Sequence, residues 1–252
     1  MGEVDLNFKS SVPTFDACVA LGRRFNRYVR SDTLEGLITT MDRAGVDKAL
    51  AYSPHAIDFD TVEGNELLMQ QIAGEPRVVP QFVGNPTYDD MDAFASQLHE
   101  LAVRSVRMAP ATHRYPFTDW IVGDWLEWLA SENLPLWLDS KEFDPTQVHD
   151  TLKNHPDTPV VFSEVHYTQA AWSVPLLKSL PNTYIEISRF VIPDGYQKLI
   201  DQVGIDKVIF GSRFPDSPMA PPLYALHRMN LSDGDLQAIC SGNLERLLQG
   251  QR

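Results

Sequence analysis

Short runs rich in β-branched and aromatic residues alternate along the chain with longer segments whose apolar residues return three and four positions apart. This beat recurs about eight times. The strand-like runs are VDLNF (4–8), KALAYS (48–53), VVPQFV (78–83), SVRMA (105–109), PLWLD (135–139), VVFSE (160–164), YIEIS (184–188) and KVIFG (207–211). Helical periodicity covers residues 33–45, 61–74, 89–102, 120–132, 145–155, 168–180, 194–204 and 232–249. Boundary signals agree: Asp32 with Glu35 three residues on has the spacing of a capping box, Gly45 stands where the first helix would stop, and Ser232 precedes the last helix. Strand-then-helix units repeated in this number predict a single α/β domain over 1–252, a closed (β/α)8 TIM barrel. An open doubly wound sheet is the alternative, but no GxGxxG follows the first strand.

One stretch breaks the beat. KSSVPTFDACVALGRRFNRYVR (9–30), rich in Arg and aromatic residues, is expected to be a long loop closing over one mouth of the barrel.

Composition narrows the functional classes. A hydrophobic share of 43% and a charged share of 22% fit a globular domain, and no run reaches the ~20 apolar residues of a spanning helix. The start MGEVDLNF lacks the basic and apolar regions of a signal peptide, so a cytoplasmic location is expected. A net charge of −13 works against nucleic-acid or anionic-membrane binding, which needs a concentrated basic face. Cys18 and Cys240 lie far apart with no metal-binding spacing and read as reduced bystanders. Trp120, Trp125 and Trp128 recur near helical spacing and read as packing residues. A serine hydrolase is disfavoured because there is no GxSxG elbow.

In a barrel enzyme the reacting groups stand at the C-terminal ends of the strands. Those positions here are Asn7 and Lys9, His55, Asn85, Arg107 and His113 in the first half. The second half adds Asp139, Lys141 and Glu142, then Glu164 and His166, then Glu186, Ser188 and Arg189, and finally Arg213 and Asp216.

At these residues the chain resembles the amidohydrolase-related family of metal-dependent hydrolases, which includes decarboxylases and lactonases on a (β/α)8 barrel. The resemblance rests on VDLNF, MDRAGVDKALAYS, EGNELL, NLPLWLD, HPDTPVVFSEVHY, PNTYIEIS, DKVIFGSRFPDSP and SGNLERLL, in order over nearly the whole chain. The resemblance implies a metal site made by an HxH pair ending the first strand, a His ending the fifth, a His after the sixth and an Asp after the eighth. This sequence shows Asn7 and Lys9 at the first pair, Asp139 at the fifth-strand position and Arg213 at the Asp, with only His166 near a family ligand position.

The substitutions change the expected chemistry. Lys and Arg offer no lone pair to a divalent ion and repel it, so no metal and no other cofactor is expected. A guanidinium and an ammonium in a low-dielectric mouth can instead bind a carboxylate or polarise a carbonyl. The resemblance also implies a precedent, since the wider family includes lactonases that act on dicarboxylates without a metal. The leading expectation is therefore hydrolytic or related lytic chemistry, lactonase-like or decarboxylase-like, on a small anionic molecule. His166, Asp139 and Arg213 are its catalytic candidates, and Lys9, Asn7, Arg107, Glu164, Arg189 and His55 its substrate-binding candidates.

Competing readings stand beside it. Arg213 could equally neutralise Asp139 or Glu186 in a buried salt bridge, Arg107 could be neutralised by nearby glutamates, and a lone His166 is more often a structural hydrogen bonder. The chain could then be a non-catalytic binding barrel, or hold a metal in an altered site of Asp139, His166 and Glu164 with Asn7. Related barrels often dimerise, so a homodimer is an open expectation.

Overall fold

The computed structural model describes residues 8–191 and 194–251. Its strands are β1 (Phe15–Ala20), β2 (Lys48–Tyr52), β3 (Val78–Pro80), β4 (Phe82–Val83), β5 (Val106–Met108), β6 (Leu136–Asp139), β7 (Val160–Ser163), β8 (Thr183–Glu186) and β9 (Val208–Ile209). All pair in parallel, in the orders β1-β2-β3 and β4 through β9. Gln81 alone separates β3 from β4, and the chain here bonds to both neighbours: Gln81 N donates to Ala51 O at 2.8 Å and Phe82 N to Ser105 O at 3.2 Å. On the other side Ala17 N donates to Phe210 O at 3.0 Å and Ala20 N to Phe214 O at 2.8 Å, so β1 meets the β9 segment. With β3 and β4 as one interrupted strand, the sheet closes on itself as a (β/α)8 barrel.

The first strand lies elsewhere than expected. Of VDLNF, residues 4–7 lie outside the described residues, while β1 runs through FDACVA, inside the stretch read as a loop. Its signal is weak because Asp16 is a poor strand former and Ala17, Cys18 and Ala20 are small. Tertiary context decides: every residue of β1 is buried, and the register slips between Asp16 and Val19, a bulge that turns the Asp16 carboxylate onto the backbone N–H of Cys18 at 3.0 Å.

Helices stand outside the barrel in all eight segments that the apolar periodicity marks, with two in the last of them, and two more that it does not mark lie at 54–58 and 220–227. The helices are α1 (Leu34–Ala44), α2 (Pro54–Asp58), α3 (Thr61–Gln71), α4 (Met91–Glu100), α5 (Asp119–Ser131), α6 (Pro145–Leu152), α7 (Ala170–Ser179), α8 (Gly195–Val203), α9 (Ala220–His227), α10 (Asp233–Gln237) and α11 (Asn243–Leu248). Helix α1 stops at Gly45 in the left-handed region, but its N-cap is Thr33, whose hydroxyl accepts from Gly36 N, rather than Asp32. No helix among the described residues is long and apolar enough to cross a membrane.

Alternation along each strand sorts side chains into two sets. Val106, Leu136, Leu138, Val160, Phe162, Ile185 and Val208 face the helices in one large apolar core. Phe15, Leu50, Trp137, Val161, Tyr184 and Ile209 face inward and fill the lower lumen, where Leu244 and Leu247 of α11 pack against them. The N-terminal end of the barrel is therefore plugged with apolar side chains, which leaves the C-terminal end for chemistry.

Candidate functional site

Two residues above five of these apolar lumen positions, the inward side chains change character. Leu50 is followed by Tyr52, Trp137 by Asp139, Val161 by Ser163, Tyr184 by Glu186 and Ile209 by Gly211. The period of two brings these to one layer at the C-terminal end, together with Arg107 from β5 and Gln81 from the strand break.

Arg107 is the hub of the lower part of this layer. It is 1% exposed, pairs through Nη1 with Asp139, and donates from Nε to Gln81 Oε1 at 2.8 Å, while its guanidinium lies 4.1 Å from the Tyr52 ring centroid. Ser163 adds a hydroxyl donor to the same Asp139 oxygen at 2.5 Å. Burial alone would raise Asp139, but Arg107 and the Ser163 hydroxyl outweigh it and hold the carboxyl below its usual range. Asp139 is thus a fixed anion.

Glu164 and Arg213 form the upper part. Arg213 Nε donates to Glu164 Oε2 at 3.0 Å, and both residues adopt positive φ, 63° for Arg213 and 52° for Glu164. Side-chain-bearing residues rarely occupy this region, and each such turn costs on the order of 1 kcal/mol or more. Burial, and then the negative charge of Asp139, push the Glu164 carboxyl above its usual range even with Arg213 beside it. Arg213 also reaches Asp216, Nη2 to Oδ2 at 3.6 Å, where Arg24 and Arg27 arrive at 3.0 and 2.5 Å. Three guanidiniums meet one carboxylate there. Arg24 further approaches the Tyr52 hydroxyl at 3.5 Å.

Behind these pairs lie two buried acids. Glu186 accepts from Glu164 N at 3.1 Å, from Ser188 Oγ at 3.0 Å and from Ser188 N, and burial pushes its pKa up to about 7. It packs so close to β9 that a side chain at position 211 would overlap it, which requires Gly211. Asp16 accepts from Ser212 N at 2.9 Å and from Cys18 N, and burial pushes it up to about 6. The Cys18 thiol sits among Glu186, Arg107, Glu164 and Asp139, and burial, then Glu186, push it well above its usual range.

The sequence-predicted candidates divide accordingly. Arg107, Asp139, Glu164 and Arg213 come together, although in pairings other than those expected: Arg107 takes Asp139, and Arg213 takes Glu164 and Asp216. His166 caps a single turn, with Nδ1 2.7 Å from Thr168 Oγ1 and its ring stacked on Tyr167. His55 lies on α2 against Glu63 at 3.2 Å and the Phe59 ring, and Arg189 is half-buried after β8. Lys9 is exposed beside Gly45, at the opposite end of the barrel, and Asn7 lies outside the described residues. The position pair that ends the first barrel strand is Cys18 and Ala20, because that strand is β1.

Sequence reasoning missed Asp16, Tyr52, Arg24 and Arg27. Tyr52 was within reach, two residues beyond Leu50 on a recognised strand. Asp16, Arg24 and Arg27 all fall in the stretch read as a loop, and the loop reading does hold for Arg24 and Arg27 beyond Ala20.

The sequence profile of the family described as Amidohydrolase matches residues 36–250. The chain belongs to the amidohydrolase family. A comparison with curated protein sequences finds no match. Solved amidohydrolase-like barrels resemble it at low identity. A dihydroxybenzoic acid decarboxylase from Polaromonas sp. JS666, with bound manganese and the inhibitor 2-nitroresorcinol, superposes with TM-score 0.77 at 13% identity, covering 94% of this chain and 97% of that one. For the 5-carboxyvanillate decarboxylase from Sphingomonas paucimobilis the values are 0.73 and 15%, with 95% and 99% covered. An uncharacterised TIM-barrel protein from Bordetella bronchiseptica gives 0.75 and 15%, again with 95% and 99% covered.

The family's metal can be tested against these residues. Ala20 has no donor atom, the Cys18 thiol is held protonated by burial, Asp139 is occupied by Arg107, and Arg213 places a guanidinium on Glu164. Among the described residues no group of three or more His, Cys, Asp or Glu side chains is placed to hold a metal ion. The donors present among the described residues do not fit the family's metal.

Proposed function

We propose that this amidohydrolase-family chain acts on a small carboxylate-bearing molecule at the C-terminal mouth of its barrel, by decarboxylating or hydrolytic chemistry and without a resident metal. The observation that carries the reading is the Glu164–Arg213 pair beside the cluster in which Arg24, Arg27 and Arg213 share Asp216. Three cations set against the carboxylates of Asp216 and Glu164 leave a positive surplus in an acidic protein, which favours an anionic ligand.

Each group then has a chemical task. Arg24, Arg27 and Arg213 orient the substrate anion. Arg107 keeps Asp139 ionised, so Asp139 serves as a fixed charge. Glu164, raised by burial and by Asp139, keeps its proton to a higher pH than a free carboxyl and suits the role of donor. In a decarboxylation Glu164 delivers a proton to the carbon bearing the carboxylate; that C–C bond then breaks, its electron pair returns to the substrate framework and CO2 leaves. In a lactone hydrolysis the ionised Glu164 would take a proton from the attacking water. The raised pKa supports the first branch better, as does the likeness to decarboxylases of carboxyvanillate and dihydroxybenzoate. His166, His55 and Arg189 belong to the rim in this reading.

A second reading, a binding barrel without turnover, draws on a different observation. Arg107, Asp139, Gln81 and Ser163 bond one another in a buried network that a substrate would have to leave intact, with only Arg107 Nη2 left without a partner in it.

A panel of hydroxybenzoates and lactones, assayed with chelator-treated protein, tests both. We expect turnover that survives chelation and falls about 100-fold or more in Arg213→Ala, the loss typical of one charge-stabilising group. Binding without turnover would favour the second reading. Stoichiometric tight manganese or zinc, or turnover indifferent to Arg213, would overturn the proposal.

A further inference from the structure

The two left-handed residues at the mouth share a feature that their ion pair does not explain. Each is anchored from behind, through its backbone or its neighbour's, by a carboxylate wholly buried in the barrel. Glu186, at 0% exposure, accepts the N–H of Glu164 itself at 3.1 Å. Asp16, also at 0%, accepts the N–H of Ser212, the residue before Arg213, at 2.9 Å. Among the described residues neither acid pairs with a cation: Glu186 accepts from Glu164 N, Ser188 N and Ser188 Oγ, and Asp16 from Cys18 N and the Ser212 backbone and hydroxyl.

Leaving two carboxylates without a counter-charge in a buried lumen is costly. Their bonds run to backbone donors at the ends of β7 and β9, where the chain turns into the left-handed region twice. From this placement we infer that Glu186 and Asp16 are positioning residues for the Glu164–Arg213 pair, holding the two turns that bring its partners within 3.0 Å. The inference rests on the reading of that pair given above, and it adds a condition on the pair: its geometry depends on the protonation of groups that never touch the substrate.

The surroundings indicate the direction. An ionised carboxylate accepts a hydrogen bond roughly twice as strongly as a neutral group does. Among the described residues the titratable groups that act on Glu186 or feel its charge include Asp16 from β1, the Cys18 thiol and the Tyr196 hydroxyl of α8, none of them a cation. Asp16 faces Ser212 and Glu186. Burial pushes Glu186 to about 7 and Asp16 to about 6, so both exchange protons near neutrality, and acidification weakens the anchors at Glu164 first and at Ser212 second.

Amide hydrogen exchange on the full 15N-labelled chain, read as protection factors between pH 5 and 8, tests this without any ligand. In the wild type the protection of the Glu164 amide should fall about tenfold as pH drops through 7, and that of the Ser212 amide should follow near 6. Glu186→Gln should flatten the Glu164 profile and leave Ser212 unchanged, with the converse for Asp16→Asn. These variants keep an acceptor oxygen and the volume, so they remain informative if Glu186→Ala or Asp16→Ala fails to fold. The Arg213 Nε–H resonance should lose protection in either variant where its own anchor weakens. Equal changes across the whole barrel, or profiles in the Gln and Asn variants indistinguishable from the wild type, would overturn the inference. A chain that turns over no carboxylate would sink the proposed function while leaving the exchange result to decide this one.

Discussion

The lower and upper halves of the barrel lumen are built by the same strands and differ only by a step of two residues. Below, Leu50, Trp137, Val161, Tyr184 and Ile209 pack as an apolar plug. Above, Tyr52, Asp139, Ser163, Glu186 and Gly211 meet Arg107, Glu164 and Arg213 in a charged layer that is nearly as dry, with Arg107, Asp139, Glu164 and Glu186 all at or below 4% exposure. Burial is similar in the two halves and its energetic meaning is opposite. In the plug, removing a side chain loses contacts and leaves a void. In the charged layer, removing one partner leaves a buried charge with nothing to balance it.

Breaking the upper layer should therefore cost most. Arg107→Met leaves Asp139 buried and unpaired and is expected to destabilise the fold by about 3–5 kcal/mol, whereas Arg107→Met with Asp139→Leu should recover much of that loss. Urea unfolding of the two single variants and the double variant measures the coupling directly. A double variant no more stable than Arg107→Met would mean that the layer is held by packing rather than by charge.

The next expected effect is in pH. Asp16 and Glu186 have folded pKa values of about 6 and 7, above the 3.8 and 4.5 of the free groups, so the folded chain binds more protons than the unfolded chain across that window. Their contribution to stability is greatest at acid pH, declines as pH rises from about 4 to about 7, and is level beyond. Asp139 runs the other way: its folded pKa is lowered, and the stability of its pair with Arg107 is lost as pH falls below the ordinary carboxylate range. Thermal melts between pH 4 and 8 should show a slope that flattens in the Asp16→Asn, Glu186→Gln double variant. An unchanged slope would assign it to other groups.

The smallest change belongs to the plug. Ile209→Val removes one methyl group from a position that is 0% exposed and should cost about 0.5–1.5 kcal/mol, with no change in the pH slope. A pH-dependent effect at Ile209 would show that the two layers do not act independently.

How far the sequence could be read follows from the same contrast. Strands β2 to β9 and the helices around them other than α2 and α9 announce themselves, because an apolar period of two or of 3.6 is a local property of the chain. Within the site Arg107, Asp139, Glu164 and Arg213 could be named from their positions at strand ends. Their pairings could not: whether Arg213 meets Asp139, Glu186 or Glu164 depends on register and on two left-handed turns that no local pattern requires. FDACVA carries no such signal, because its strand character comes from its two neighbours, β2 and the β9 segment, and not from its own residues. With β1 went Asp16, and with the assumed strand at 4–8 came Lys9, which lies at the far end of the barrel.

By itself the sequence determined the repeat, the barrel and the row of charged residues at its C-terminal mouth, since each rests on short-range periodicity and on chemistry carried by single side chains. Only the tertiary structure decided which strand comes first, which cation faces which carboxylate, and that two further acids are sealed behind the site. Those are outcomes of closing a sheet on itself, where residues nearly two hundred positions apart, such as Asp16 and Ser212, become hydrogen-bond partners.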